Sequence, residues 1–94
     1  MEQLSKRQAE KIYHEQLWKY LNDEQKVRLQ LFQRCLCMPF REFHTALENR
    51  LKRKIQLLEF GQTKKLTAEY LNHHPMPQWT DIQKLIQSAR LHHS

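Results

Sequence analysis

The chain has 94 residues, of which 39% are hydrophobic and 10% aromatic, with 16 Lys and Arg against 10 Asp and Glu for a net charge of +6. That length suits one small domain with no room for a second core, and the aliphatic and aromatic content separates it from disordered chains. One Gly and three Pro exclude a multi-strand sheet, whose hairpins need residues at positive φ, and exclude the glycine-rich loops that cradle nucleotide phosphates.

Ser5 and Gln8 have capping-box spacing, and Ala9, Ile12, Tyr13, Leu17, Tyr20 and Leu21 follow at helical intervals, predicting a first helix that ends near Asn22. Trp18 points away from that stripe. Asn22 or Asp23 can cap a second helix running to about Cys37. Its apolar residues, from Val27 and Leu29 to Leu36, spread over roughly 200° of the wheel, wider than a surface stripe, which marks it as the centre of the core or of a subunit interface.

Pro39 suits the first position of a third helix, where Phe40, Phe43, Leu47, Leu51, Ile55 and Leu58 recur every three or four residues until Gly61 closes it. Residues 39–60 would form a rod of about 33 Å, long enough to act as the backbone of a homodimer. Thr63 or Thr67 caps a fourth helix with Leu66, Tyr70 and Leu71, and Pro75 and Pro77 then interrupt the chain. Thr80 and Gln83 have capping-box spacing for a fifth, with Ile82, Leu85, Ile86 and Ala89 on one face and residues 92–94 frayed. The expected fold is all-α, a single helical domain over residues 1–94, with four or five helices around a long central one at 39–60.

The positive charge is concentrated. Residues 1–38 carry a net +2, residues 39–66 a net +4 and residues 67–94 none. The middle segment holds Arg50, Lys52, Arg53 and Lys54, followed by Lys64 and Lys65, residue types that neutralise phosphates in nucleic-acid binding. The same residues also read as an ordinary solvated surface, since Arg50, Lys52 and Arg53 spread around the helix.

The expected function is a small non-catalytic regulator that binds DNA or RNA through this patch. The alternative is an adaptor or inhibitor that docks an acidic partner protein and anchors through Trp18 or Trp79, with Leu29 and Leu91 as further exposed apolar candidates. Helices four and five make a poor helix-turn-helix, because their connection has two prolines and no glycine. Cys35 and Cys37 lie one residue apart, which turns their thiols to opposite sides of a helix, so neither a metal nor another cofactor is expected. No nucleophile and base stand at a recognisable spacing, so an enzyme is not expected either. The N-terminus lacks the apolar run of a secretory signal and no segment is long enough to span a bilayer, which predicts a cytoplasmic, nucleoid or nuclear protein without a membrane partner.

Overall fold

The computed structural model describes residues 2–93, and five α-helices with two 3-10 helices are its regular elements, with no strand among the described residues. Helix α1 spans Lys6–Glu15, α2 Asp23–Gln30, α3 Phe40–Leu51, α4 Thr63–Leu71 and α5 Trp79–His93. The 3-10 helices are Leu17–Tyr20, after α1, and Leu57–Gln62, before α4. The fold is a small helical bundle measuring 35 × 24 × 22 Å.

Helix α1 starts as its sequence directs, with the Ser5 hydroxyl accepting from the Gln8 N–H at 3.1 Å and the Gln8 amide accepting from the Ser5 N–H at 2.9 Å. Asn22 and Gln25 repeat that reciprocal cap at α2, at 2.8 and 2.9 Å, and Asp23 and Glu24 occupy its first turn, where the helix dipole favours carboxylates. Helix α2 packs along α3, α5 against α2 and the first 3-10 helix, and α4 against α3 and the second 3-10 helix. Ala9, Ile12, Leu29, Leu47, Leu66 and Ile82 from the five α-helices meet in one buried cluster.

Four of the expected boundaries are corrected. The first helix stops at Glu15, because Gln16 adopts a left-handed conformation with φ 57° and the chain re-enters as a 3-10 helix that buries Leu17 and packs Trp18 on the core. The second stops at Gln30, whose buried side chain accepts from the Cys37 N–H at 2.7 Å and donates to the Cys35 carbonyl at 3.0 Å, folding residues 31–37 back into a loop. Leu29 is buried in the core. The fifth helix is capped not by Thr80 but by the pair Gln78 and Asp81, the Asp81 carboxylate accepting from the Gln78 N–H at 3.0 Å. That helix continues through His93, and Ser94 lies outside the described residues.

The largest correction is to the central helix. Residues 39–60 are not one rod: α3 ends at Leu51, Lys52 turns left-handed with φ 59°, residues 54–56 are extended or irregular, and the 3-10 helix begins at Leu57. The physical cause lies in contacts made after the turn. Ile55 is buried, its N–H donates to the Glu48 carboxylate at 2.8 Å and its carbonyl lies 2.7 Å from the His44 Nε2, so both backbone groups bond α3 side chains. Phe60 then packs on Phe40 and His44, with ring centroids 4.8 and 5.2 Å apart. Leu58 lies 88% exposed instead of on a buried stripe. At twelve residues α3 is about 18 Å long, so it lacks the length that suggested the backbone of a dimer.

Candidate nucleic-acid interface

The six basic residues singled out in the sequence divide into two that are bound within the fold and four that are not. Arg50, in the last turn of α3, is exposed but engaged by its neighbours, with Nε 2.8 Å from the Glu24 carboxylate and a guanidinium nitrogen 3.2 Å from His74 Nε2. Because arginine only donates, His74 Nε2 accepts, and the ring proton sits on Nδ1, which donates to the Tyr70 carbonyl at 3.0 Å. Tyr70 completes the network by donating from its hydroxyl to Glu24 at 2.7 Å.

Arg53 holds two carboxylates at once. Its guanidinium makes two bonds to Glu59, at 2.8 and 3.2 Å, two to Glu69, at 2.8 and 2.9 Å, and one to the Lys54 carbonyl at 2.9 Å. These bonds favour the ionised form of both acids, holding the Glu59 and Glu69 carboxyls below the usual carboxylate range. Glu48 is lowered as well, first by the Ile55 N–H it accepts. The three acids of this region are therefore engaged by groups of the fold while remaining partly exposed.

Lys52 and Lys54 lie in the connection leaving α3, and Lys64 and Lys65 lie in the first turn of α4. All four are exposed, and none makes a side-chain hydrogen bond or an ion pair with the described residues. Between these two lysine pairs, the 3-10 helix presents Leu57, 68% exposed, and Leu58, 88% exposed. Sequence reasoning missed this leucine pair as a surface feature. The available signal was Leu57, which follows two residues after Ile55 and falls off the three-and-four spacing of the stripe. Arg50 and Lys52 also border a cleft of about 370 Å³ with His73, His74 and Glu69.

The two tryptophans lie elsewhere. Trp18 and Trp79 are each half-buried and pack against the core, so most of each side chain is covered. Leu91 is 76% exposed near the end of α5. Cys37 is buried and Cys35 half-buried, both as free thiols, and burial pushes the Cys37 thiol up to about 12, so it stays protonated. No described helix is long and apolar enough to cross a membrane. No protein-family model, curated protein or solved structure matches the chain.

Proposed function

We propose that the protein binds nucleic acid without performing chemistry on it, through Lys52, Lys54, Lys64 and Lys65. The observation that carries this reading is that all four lysines are exposed and none forms an ion pair within 4 Å among the described residues, Lys54 only neighbouring Glu48, while Arg53 holds both Glu59 and Glu69. A patch whose own acids are bound elsewhere keeps its positive field and attracts phosphates. Arg50 and Arg53 serve the fold in this reading and position the patch. The protein would act where its nucleic acid lies, in the cytoplasm, nucleoid or nucleus, by occupying a site. A homodimer would present two such patches, and sedimentation equilibrium of the free and bound protein counts the copies.

Fluorescence anisotropy of labelled duplex DNA and single-stranded RNA at about 50 and 200 mM salt tests the proposal. Four phosphate contacts predict an affinity loss of about 150-fold over that range on B-DNA, from a slope of roughly −0.9 per contact. The double variant Lys52→Glu with Lys64→Glu should abolish binding at the higher salt. Absence of binding at 50 mM, or binding indifferent to salt, would sink the reading.

The exposed Leu57 and Leu58 favour a second reading, an adaptor or inhibitor that docks an acidic partner protein, since an apolar centre with a charged rim is common anatomy for a protein interface. Its anchors would be these leucines more than Trp18 or Trp79. Leu57→Ala would then weaken the protein complex and leave nucleic-acid affinity at zero.

A further inference from the structure

We infer that a single strand of nucleic acid lies in the groove between the loop after α2 and helix α4, with its phosphates on Arg34 and Lys64 and a base stacked on Phe40. The inference rests on the nucleic-acid reading and names its substrate as unpaired DNA or RNA.

One wall of the groove is the loop at residues 31–34. The other is the face of α4 that carries Thr63, Lys64, Thr67, Ala68 and Leu71, and the two enclose about 650 Å³. A second hollow of about 190 Å³, into which Leu36, Phe40 and Phe60 contribute, shares Leu31, Gln33, Arg34 and Thr63 with the first. The two hollows therefore form one continuous track.

The loop wall is pinned from the N-terminal segment. Gln3 spans it, its Nε2 donating to the Phe32 carbonyl at 2.6 Å and its Oε1 accepting from the Arg34 N–H at 2.9 Å, and the Gln33 side-chain oxygen accepts from the Leu4 N–H at 2.8 Å. Phe32 also packs edge-on with the buried Tyr70, ring centroids 6.3 Å apart. The backbone that carries Arg34 is thus fixed before any ligand arrives, which lowers the ordering cost of binding.

Charge and shape select the occupant. Arg34 stands on one wall and Lys64 on the other, both are exposed, and neither side chain makes a hydrogen bond or an ion pair with the described residues. No Asp or Glu lines either hollow among the described residues, so the track keeps a positive field between otherwise neutral walls. Phe40 adds an aromatic ring that is 36% exposed and held by Phe43 and Phe60, with centroids 6.4 and 4.8 Å away. A cationic groove with an aromatic platform is how single strands are bound without regard to sequence. A duplex brings phosphates but keeps its bases stacked inside, and an acidic peptide brings charge without the flat face of a base. Only an unpaired strand uses both the cations and the ring.

The test uses the intact protein and fluorescence anisotropy with labelled single-stranded DNA and RNA of about 12 nucleotides, beside an abasic strand of equal length. Wild type should bind the intact strand at least about 10-fold more tightly than the abasic one, since one base stacked on an aromatic ring is worth that much. Arg34 has an exposed side chain without partners, so Arg34→Gln should fold normally, and it should lower the salt slope by about 0.7, the loss of one phosphate contact on a single strand. Lys84→Gln, on the exposed surface of α5, removes the same charge outside the track and should leave the slope unchanged. Phe40→Leu keeps apolar bulk against Phe60 but removes the ring; it should narrow the preference for the intact strand over the abasic one and leave the slope as in wild type. Equal affinity for intact and abasic strands, or an Arg34→Gln slope equal to that of Lys84→Gln, would overturn the groove and leave the lysine patch standing. Absence of binding to any nucleic acid would overturn both. Polyglutamate of equal charge that binds at least as tightly as the strand would overturn both in favour of an acidic protein.

Discussion

At Arg53 one guanidinium joins Glu59 in the second 3-10 helix to Glu69 in α4, so a single side chain fixes that element against the helix that follows it. The pair is partly exposed, and exposed ion pairs contribute modestly to stability because solvent screens them. Two carboxylates sharing one fork have better geometry than a lone pair. Both acids are held below the usual carboxylate range, mainly by the Arg53 hydrogen bonds. In the unfolded chain they take up protons near pH 4.3. Their contribution is therefore complete above that pH and disappears as pH falls through the lower folded values. Arg53→Ala should lower the melting temperature by a few degrees at pH 7. The difference from wild type should shrink as the pH falls below the unfolded value, as read from melting curves at pH 7 and in acid. Equal melting temperatures at pH 7 would mean that the clamp adds nothing to the fold.

Helices α1 and α2 begin where their capping residues stand in the sequence, and α3 ends where contacts made further along the chain end it. Ser5 with Gln8 was legible as a start because both partners lie within one turn, and Asn22 is likewise a local cap. The breaks at Gln16 and Lys52 were not legible, since neither residue is a glycine and the apolar spacing through Leu51, Ile55 and Leu58 runs on without interruption. What stops α3 is a set of bonds from Ile55 back to His44 and Glu48, and a helical pattern cannot reveal that its own backbone has better partners elsewhere.

The site followed the same division. Positive charge in residues 39–66 was countable, but which cations are tied down depends on Arg53 meeting Glu69 sixteen residues away, and Leu58, on the expected stripe, surfaces because the helix breaks. Glycine placement yields a direct test. Gly61 has no positive φ, and a Cβ there meets nothing within 4 Å, whereas Gln16 has φ 57°. Gly61→Ala should stabilise by about 0.4–1 kcal/mol through the unfolded chain. Gln16→Gly should relieve roughly 1 kcal/mol of left-handed strain, offset in part by the entropy of the added glycine. Urea midpoints measure both, and a lower midpoint for Gly61→Ala would show that the 3-10 turn needs glycine after all.

Across the whole molecule, polar side chains lock the apolar core into one arrangement of helices. Glu24 of α2 is the hub, bonded to Tyr70 of α4 and paired with Arg50 of α3, and Arg90 of α5 meets Glu15 of α1 across 75 residues of sequence. Tyr70 is fully buried, stacked on His74 at 4.3 Å, and its pKa is raised first by burial and then by the hydrogen bond to Glu24. Cys37 is raised to about 12 by burial. For both groups the protonated form belongs to the fold. Stability from Cys37 is complete below its unfolded value near 8.5 and that from Tyr70 below about 10, and each is lost as pH rises toward the folded value.

The protein should accordingly weaken from about pH 9 upward, by up to roughly 1.4 kcal/mol per pH unit for each group once its unfolded form has ionised. Tyr70→Phe separates the two contributions. At pH 7 it should cost about 1.5–3 kcal/mol, because it removes a hydrogen bond to a charged acceptor in the interior. Above pH 10 the variant has no Tyr70 proton to lose, so its stability falls less steeply and the gap to wild type narrows. Urea midpoints of both proteins at pH 7, 9 and 11 measure that gap. A gap that stays constant would mean that Tyr70 ionises as easily in the folded chain as in the unfolded one, whereas the absence of any gap at pH 7 would mean that its bond to Glu24 does not hold the helices together.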